Sequence, residues 1–203
     1  MNTIHLRPYH PSDLNNIIQI FTEAVHQLGI KHYSPAQLNA WAPSNPDRQR
    51  WRDRLEAMVV LVAEQGTNII GFIGYDGAGL VDLLFVHPAF TRLGIATILM
   101  QAVEQLAIAD GVRELETKAS MVARPFFESR GFVVIAEETV TIGEKIYVDL
   151  PWVKPLNQLI KVGSQCQSPL LGKKRGLQSP SVVKLKSKLS LSLFKLFRVS
   201  PEN

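Results

Sequence analysis

The sequence predicts an α/β fold with a mixed, mostly antiparallel sheet of roughly six to seven strands and about four helices. Three observations predict it. Apolar residues recur at helical spacing near the start of the chain. Apolar, β-rich runs separated by turn residues then follow between residues 58 and 86. Beyond residue 86, helical and extended patterns alternate up to residue 150, where a basic C-terminal extension begins.

The first third of the chain is predicted to form one strand and two helical regions. Residues 4–7 are extended, and Pro11-Ser12-Asp13 supply the cap and the first-turn charge of a helix that ends at Gly29. Its buried face is indicated by three- and four-residue spacing of Leu14, Ile17, Ile18, Phe21, Val25 and Leu28. A second helical region opens at Ser34-Pro35 and continues, after a break at 43–46, through residues 48–57.

The middle of the chain predicts the sheet. Residues 58–63 and 68–75 form an antiparallel hairpin, and Asp76-Gly77-Ala78-Gly79 makes a further turn. The remaining elements are expected in the order strand, helix, strand, helix, strand and strand, at 81–86, 93–110, 114–118, 122–129, 133–137 and 145–150.

Length, cysteine count and apolar runs limit the class of protein to which the chain can belong. The chain has 203 residues, enough for a single domain with a buried core, and a single cysteine, Cys166. One cysteine excludes an intramolecular disulfide or a multi-cysteine zinc site and favours a reducing compartment, so a cytoplasmic protein is expected. No apolar run approaches the roughly 18 residues of a membrane-spanning helix. We expect no metal site.

Charge divides the chain into a domain at 1–150 and an extension at 151–203. Residues 1–150 hold 12 Lys and Arg against 17 Asp and Glu, whereas residues 151–203 hold 10 against one. Residues 162–181 have the composition of a linker or a disordered segment. Residues 182–199 have a helical apolar face, but Val183 to Lys186 alternate with the period of a strand. The extension is either a solvated tail or a weak, nonspecific binder of anionic lipid or nucleic acid.

A strand, a glycine-containing turn and a long helix at residues 81–107 outline an anion site. The first amides of a helix have no acceptor within the helix and lie at the positive end of its dipole. Gly94 and Ala96 would let a pyrophosphate approach the amides of Leu93 to Thr97, beside the charge of Arg92. A glycine that serves packing alone would give the same pattern.

Two motifs resemble those of the GNAT superfamily of N-acyltransferases. Thr91-Arg92-Leu93-Gly94-Ile95-Ala96 is similar to the Gln/Arg-x-x-Gly-x-Gly/Ala signature, except at its first position. The segment ARPFFESRGF, residues 123–132, resembles the second motif, a short helix with an aromatic pair followed by Gly-Phe. The resemblance covers residues 1–150. Together with HYSPAQLNAWAP at 32–43, it is similar to a bacterial subgroup of uncharacterised acetyltransferases.

The resemblance implies that acetyl-CoA is the co-substrate. The family places the pantetheine arm between two diverging strands, which implicates Phe85, Val86 and His87, with the thioester near Leu84. The family's asparagine contact to the cofactor corresponds to Ser120, and its general-acid tyrosine corresponds to Phe127, which cannot donate a proton. The residues implied to contact the cofactor are Phe85, Val86, Arg92, Leu93, Gly94, Ile95, Ala96, Thr97, Ser120 and Phe127.

Transfer to an amine also needs a base, because only a neutral amine attacks the thioester. The family often carries an acidic base at the start of the fourth strand, where Asp82 lies. Glu116 is the rival, and Asp82 could instead cap the preceding turn or pair with an arginine. The leaving thiolate could be protonated by water or by another tyrosine (Tyr33, Tyr75 or Tyr147). It could also leave without an acid, because a thiolate departs readily near neutral pH.

The family walls its acceptor pocket between the first two helices, where His32, Tyr33 and Trp41 lie, although each could equally be a packing residue. The expected function is therefore transfer of acetyl from acetyl-CoA to a primary amine of a small molecule or peptide, by a monomer or a homodimer. A noncatalytic acyl-CoA sensor is the first alternative. A protein that associates with membranes or nucleic acid through its tail is the second.

Overall fold

A computed structural model describes residues 3–136, 138–142 and 145–156 of the chain. The predictions for the linker at 162–181, the segment at 182–199 and Cys166 lie outside these residues. Within them the chain forms five α-helices and eight β-strands. The helices are α1 (Leu14–Gly29), α2 (Pro35–Trp41), α3 (Arg48–Glu56), α4 (Ile95–Ala109) and α5 (Arg124–Ser129). The strands are β1 (Ile4–Pro8), β2 (Val59–Gln65), β3 (Asn68–Tyr75), β4 (Leu80–Val86), β5 (Glu114–Ala119), β6 (Val133–Val134), β7 (Glu138–Ile142) and β8 (Lys145–Pro155).

Seven strands form a mixed sheet in the order β1-β2-β3-β4-β5-β8-β6, and β7 pairs with β8 beside it. The pairs are antiparallel except for β4 with β5, which is parallel. A parallel pair needs a crossover, and α4 supplies it between β4 and β5. The predicted mixed, mostly antiparallel sheet is confirmed.

Local sequence signals explain where the second and third helices begin. The Ser34 side chain accepts a hydrogen bond from the Gln37 amide, and the Gln37 side chain accepts one from the Ser34 amide. This reciprocal pair satisfies two donors that the start of α2 would otherwise leave unpaired, with Pro35 at the first helical position. Asp47 caps α3 by accepting from the Arg50 amide over 3.0 Å.

Two apolar layers cover the two faces of the sheet. On one face α1, α2 and α3 pack through residues such as Ile17, Phe21 and Trp51 against Phe72 and Leu83. On the other face the buried side of α4 packs against β3, β5 and β8. The members of that second layer include Leu99, Met100, Val103, Ile70, Ile73, Leu115 and Trp152. The site described below lies between these layers, where β4 and β5 part.

A buried ion cluster holds α4 on the face of the sheet opposite α1, α2 and α3. Glu104 of α4 is 3 % exposed, and its carboxylate accepts from Lys154 Nζ over 2.6 Å and from Arg130 Nη2 over 3.3 Å. A buried carboxylate needs such partners because removing them costs about 3–5 kcal/mol. The cluster therefore connects the helix that starts at the site with β8 and with the turn after α5.

The last strands differ from those that the sequence predicts. The sequence predicts one strand at 133–137 and one at 145–150, but the chain forms β6 at Val133–Val134, then β7 at Glu138–Ile142. Both pair with β8, which continues through Pro155, past the predicted boundary at residue 150. The extra strand arises because β8 is long enough to hold two partners end to end. Pro151 and Pro155, which are typical strand breakers, are tolerated within β8.

Candidate active site

The parallel pair β4–β5 is joined over only two residue pairs, Leu80 with Glu116 and Val81 with Thr117. On its other edge β4 pairs with β3 as far as Val86. Where the short pairing ends, Thr117 Oγ1 donates a hydrogen bond of 2.8 Å to the Val81 carbonyl oxygen. The two strands therefore part at Asp82 and leave a gap beside the second half of β4.

The peptide groups of Leu84 and Val86 face this gap. His87 directly follows β4, and its amide donates to the carbonyl of Ile70 on β3 over 2.9 Å. Hydrogen-bonding residues alternate along an antiparallel pair, so Phe85 also directs its N–H and C=O groups at β3. Leu84 and Val86 direct theirs at the opposite edge, where β5 does not pair with them. The gap is thus lined by backbone donors and acceptors that an extended ligand can pair with.

A β-bulge places Asp82 at the point where the strands part. Gly74 lies opposite Leu83 and Tyr75 opposite Val81, so Asp82 is the extra residue of β4. Bulges re-aim side chains and end pairing. Asp82 consequently points to the same side of the sheet as Leu83, which packs in the layer formed by α1, α2 and α3.

The start of α4 lies at the open end of the gap. Gly94, its N-cap, has φ +80°, and Arg92 has φ +65°, the one positive value at a non-glycine residue in the described ranges. The first intrahelical bond runs from the Ile98 amide to the Gly94 carbonyl over 3.0 Å, so the amides of Ile95 to Thr97 have no acceptor inside the helix. Left-handed residues beside a helix start make a concave group of N–H donors that suits an anion.

A second glycine allows this helix to approach the sheet. A Cβ atom on Gly71 of β3 would lie 3.0 Å from the Phe85 carbonyl oxygen and 3.1 Å from Ile95 Cγ2. The absence of a side chain at Gly71 therefore brings the first turn of α4 against β3 and β4. That contact aligns the helix start with the end of the gap.

Asp82 is paired with an arginine. Its Oδ2 atom accepts from Nε and Nη2 of Arg54, on α3, over 2.8 Å each. The Arg54 and Asp82 side chains are 18 % and 11 % exposed, so the pair lies at the edge of the helical layer and not in open solvent. The preceding turn is capped by a different residue, because Asp76 Oδ1 accepts from the amides of Ala78, Gly79 and Leu80. Of the two structural roles considered for Asp82, the ion pair is present and the cap is not.

Glu116 lies on β5 one residue before the end of the β4–β5 pairing. Its neighbours Leu115 and Ala119 belong to the layer on the α4 side, so strand alternation turns Glu116 to the other face, where it is exposed. Asp82 and Glu116 therefore share one face of the sheet. Ser120 follows β5, and its carbonyl accepts from the amides of Ala123 and Arg124 at the start of α5.

Phe127 is a core residue. It is 3 % exposed and packs edge-to-face on Phe126 and Phe132, with ring centroids 5.3 and 5.1 Å away. The ring belongs to the layer beneath α4. Phe127 occupies the position of the family's general-acid tyrosine, and here it is an apolar side chain in contact with two further aromatic rings.

The three tyrosines considered as acids differ in their surroundings. Burial and nearby Asp76 raise the pKa of Tyr75 to about 12, and its hydroxyl is buried without a hydrogen-bond partner among the described residues. Burial also raises the pKa of Tyr147 to about 12, and its hydroxyl donates to the Gln37 carbonyl over 2.5 Å. The Tyr33 hydroxyl accepts from the Met121 amide over 3.1 Å, just beyond the end of β5. Of the three, Tyr33 is therefore the one in contact with the segment that leaves β5 at the gap.

His32, Tyr33 and Trp41, expected at an acceptor pocket, lie together on one side of the α1–α2 layer. The Tyr33 ring centroid is 5.6 Å from that of Trp41, 5.9 Å from that of Tyr147 and 6.5 Å from that of His32. Tyr33 and Tyr147 are buried, at 7 % and 5 % exposure. The rings pack on one another and connect α2 with β8.

Two residues near the gap were not anticipated from the sequence. Arg54 is one of four arginines in α3, and a helix of that composition gives no sign of which arginine faces β4. Glu23 of α1 accepts from His87 Nε2 over 3.1 Å, while His87 Nδ1 accepts from the Ala89 amide. Long-range ion pairs of this kind have no local sequence signal.

Two features are absent from the described residues. No group of three or more His, Cys, Asp or Glu side chains is arranged there to hold a metal ion. Nor does that part of the chain contain a helix with the length and apolar character needed to cross a bilayer.

Comparison with known proteins agrees with this geometry. The family profile "Acetyltransferase (GNAT) domain" matches residues 30–146. The uncharacterised N-acetyltransferase YafP of Escherichia coli (strain K12) is 36% identical over 140 residues, which are 69% of this chain and 88% of that protein. A GCN5-related N-acetyltransferase from Rhodopseudomonas palustris superimposes with a TM-score of 0.73 at 34% identity, covering 76% of this chain and 97% of that one.

Two more distant structures share the fold. PaiA N-acetyltransferase from Thermoplasma acidophilum, solved with coenzyme A, has a TM-score of 0.63 at 19% identity over 75% of this chain and 99% of that chain. YncA from Salmonella typhimurium, solved with acetyl-CoA, has a TM-score of 0.56 at 21% identity over 76% of this chain and 95% of that chain. The gap between β4 and β5, the helix start at Gly94 and these matches define an acyltransferase. The chain belongs to the GNAT acetyltransferase family.

Proposed function

We propose that this protein transfers acetyl from acetyl-CoA to a primary amine of a small molecule or peptide. The observation that carries the proposal is the parting of β4 and β5 after two residue pairs, with the start of α4 at the open end. This geometry suits a long ligand that has an anionic group at one end and an amide-containing arm at the other. CoA has that form.

The diphosphate would be held by the amides of Ile95, Ala96 and Thr97, in the turn shaped by Arg92 and Gly94. Leu93 is 59 % exposed in that turn, and an apolar side chain there can lie along the ligand. The arm would pair with the peptide groups of Leu84 and Val86. Ser120, at the end of β5, would border the opposite side of the gap. Support for this assignment comes from the relatives solved with coenzyme A and acetyl-CoA.

Asp82 is the proposed base. The thioester, placed near Leu84, would lie two residues along β4 from the bulge, on the line where the strands part. A carboxylate there can take up the ammonium proton, directly or through one water, so that the neutral nitrogen attacks the carbonyl carbon. The two hydrogen bonds from Arg54 fix the orientation of Asp82 but also compete for its oxygen. Glu116, exposed on the same face, is the rival base.

The leaving thiolate needs little assistance. A thiol with an ordinary pKa near 8.5 is expelled as the anion near neutral pH without a strong acid. Phe127 has no proton to donate. The Tyr75 hydroxyl is buried and the Tyr147 hydroxyl already donates to the Gln37 carbonyl, so neither is placed to protonate the thiolate. Tyr33, whose hydroxyl lies beside the Met121 amide, is the candidate if an acid takes part.

The direct experiment measures thiol release from acetyl-CoA across a panel of amines, together with calorimetry of coenzyme A. The proposal requires saturable binding and acceleration by at least one amine class. Failure to bind coenzyme A would contradict it, because the cofactor gap would then have no ligand.

A noncatalytic acyl-CoA sensor is the second candidate. The sensor is favoured by Phe127, which is packed in the core at the position where the GNAT family carries a general-acid tyrosine. Tight coenzyme A binding without release of thiol for any amine, including lysine peptides, would select the sensor over the enzyme.

A further inference from the structure

Met121 lies where the two apolar layers of the domain meet. Among the partly buried apolar residues that the structure describes, Met121 alone packs against both layers. Elsewhere the paired strands keep the layers apart, because successive side chains of a strand point to opposite faces of the sheet. A side chain that touches both layers must therefore lie beside a break in the sheet or at its end. Met121 follows Ala119, the last residue of β5, by two positions, at the edge of the gap between β4 and β5.

The strand register sets Met121 level with the second half of β4. Continued past the last pair, Val81 with Thr117, the parallel register brings Met121 to the level of Phe85. The bulge in β4 shifts this level by at most one residue. The thioester is proposed near Leu84, one residue away. A methionine side chain is unbranched and has several rotatable bonds, so it spans the roughly 3.3 Å between these two levels.

The backbone of Met121 is held on both sides by hydrogen bonds. Its amide donates to the Tyr33 hydroxyl over 3.1 Å, and Tyr33 is buried in the layer formed by α1, α2 and α3. The turn that contains Met121 is closed by the amides of Ala123 and Arg124, which donate to the Ser120 carbonyl over 3.0 and 3.2 Å. The anchored backbone therefore fixes the point from which the Met121 side chain enters the contact between the layers.

The wall of the gap on β4 is more rigid than Met121. The Phe85 ring centroid lies 4.9 Å from that of Phe21 and 5.6 Å from that of Phe72, so the ring is held between two aromatic side chains. Methionine, in contrast, is flexible and fills irregular spaces. An acyl group that extends past the thioester would therefore meet a fixed aromatic ring on β4 and the Met121 side chain on the side of β5.

We infer that Met121 sets the length of the acyl group, so that the site admits acetyl and excludes longer chains. This inference rests on the proposed acetyltransferase function and names the class of acyl donor for the same site. The added methylene groups of a longer chain would need the volume that the Met121 side chain fills, because protein interiors are closely packed. Met121→Ala removes the volume of about three methylene groups, and pentanoyl is longer than acetyl by the same amount.

Calorimetry of acetyl-CoA and pentanoyl-CoA with the full-length protein, in the absence of an amine, tests the inference. The wild-type protein should bind pentanoyl-CoA at least about tenfold more weakly than acetyl-CoA, because a single methylene group that does not fit costs about that factor. Met121→Ala should make the two dissociation constants nearly equal. The ratio of kcat/KM for the two donors with one amine should change in parallel. Comparing ratios cancels any general loss of affinity in the variant.

The residue after Met121 provides a matched control. Val122 is also partly buried, and within the described residues it packs against the layer of α1, α2 and α3 alone. Val122→Ala should therefore keep the wild-type ratio. Met121→Leu, which nearly conserves the volume, should keep it too. If Met121→Ala does not fold, Met121→Val removes less volume and should shift the ratio in the same direction.

Three outcomes would overturn the inference. The first is a wild-type protein that binds both donors equally well, and the second is a ratio that stays unchanged when Met121 is shortened. The third is an equal change in Val122→Ala, which would indicate a general loosening of the segment and not a limit on size. In each case coenzyme A binding and acetyl transfer persist, so the proposed function stands. Absence of coenzyme A binding by the wild-type protein would remove both.

Discussion

The Thr117 hydroxyl donates to the Val81 carbonyl over 2.8 Å at the last residue pair that joins β4 to β5. Thr117 is 4 % exposed, so this bond is shielded from water. It adds a side-chain hydrogen bond between β5 and β4 at the last pair of the parallel ladder. The side chain thus closes the joined part of the sheet and marks the start of the gap.

Replacing Thr117 by valine should destabilise the domain by about 0.5–1.5 kcal/mol, because the buried side-chain hydrogen bond to the Val81 carbonyl is lost while the side-chain volume is kept. Denaturant unfolding measures the change. Thr117→Ser, which retains the hydroxyl, is the matched control and should lose less. Equal losses in both variants would show that the methyl group, and not the hydrogen bond, is what the site needs.

Gly94→Ala should weaken coenzyme A binding at least about tenfold, equivalent to about 1.4 kcal/mol. The cause is its φ of +80°, which an alanine adopts only with strain of about 1–2 kcal/mol, so the helix start would be reshaped. Gly77, in the turn before β4, has φ +77°, and at both glycines an added Cβ atom would have no heavy atom within 4 Å. Gly77→Ala should therefore cost similar stability without affecting calorimetric affinity. An equal loss of affinity in both variants would refute the helix start as the anion site.

Asp82→Asn should lower kcat for amine acetylation by about 10²–10⁴ while leaving coenzyme A affinity nearly unchanged. Asparagine keeps the size of the side chain but cannot accept the ammonium proton. Glu116→Gln is the paired variant, and it should retain activity. Should Glu116→Gln alone abolish turnover, the base would be Glu116, and Asp82 would be only the ion-pair partner of Arg54.

Stability should fall as the pH rises from about 10 to about 12. The pKa values of Tyr75 and Tyr147 are raised to about 12 by burial, whereas an unfolded tyrosine ionises near 10. Above pH 10 the unfolded chain therefore binds fewer protons than the folded one, so stability decreases with pH. Urea unfolding at several alkaline pH values measures the slope.

Tyr75→Phe should flatten this alkaline slope and should be neutral or stabilising at pH 7, because the Tyr75 hydroxyl is buried without a partner among the described residues. Tyr147→Phe should also flatten the slope but cost about 1 kcal/mol at pH 7, since it loses the bond to the Gln37 carbonyl. A large loss of stability in Tyr75→Phe would mean that its hydroxyl has a partner in solution.

Much of the fold was accessible from sequence because its signals are local. The apolar period of α1, the Ser34 and Gln37 cap of α2 and the glycine turns around β2 and β3 depend on residues a few positions apart. The separation of β6 from β7 was missed because it depends on the length of β8, a partner later in the chain. Neither strand has a periodicity long enough to show this alone.

The candidate site shows the same division. The glycine turn at Gly94 was predicted from its own residues, and its positive φ agrees with that interpretation. The Arg54 partner of Asp82, the Glu23 partner of His87 and the face on which Glu116 lies depend on tertiary packing. The bulge at Asp82 shifts the alternation of side chains along β4. The β4 residues that face the gap could therefore be identified only from the strand register.

Amide hydrogen exchange at saturating coenzyme A tests the central claim most directly, since it reads single peptide groups on β4 and α4. The account predicts that the Leu84 and Val86 amides, and those of Ile95 to Thr97, exchange more slowly with ligand, while the Phe85 amide, already directed at β3, changes little. Unchanged exchange at Leu84, Val86 and the start of α4 under saturation would contradict it.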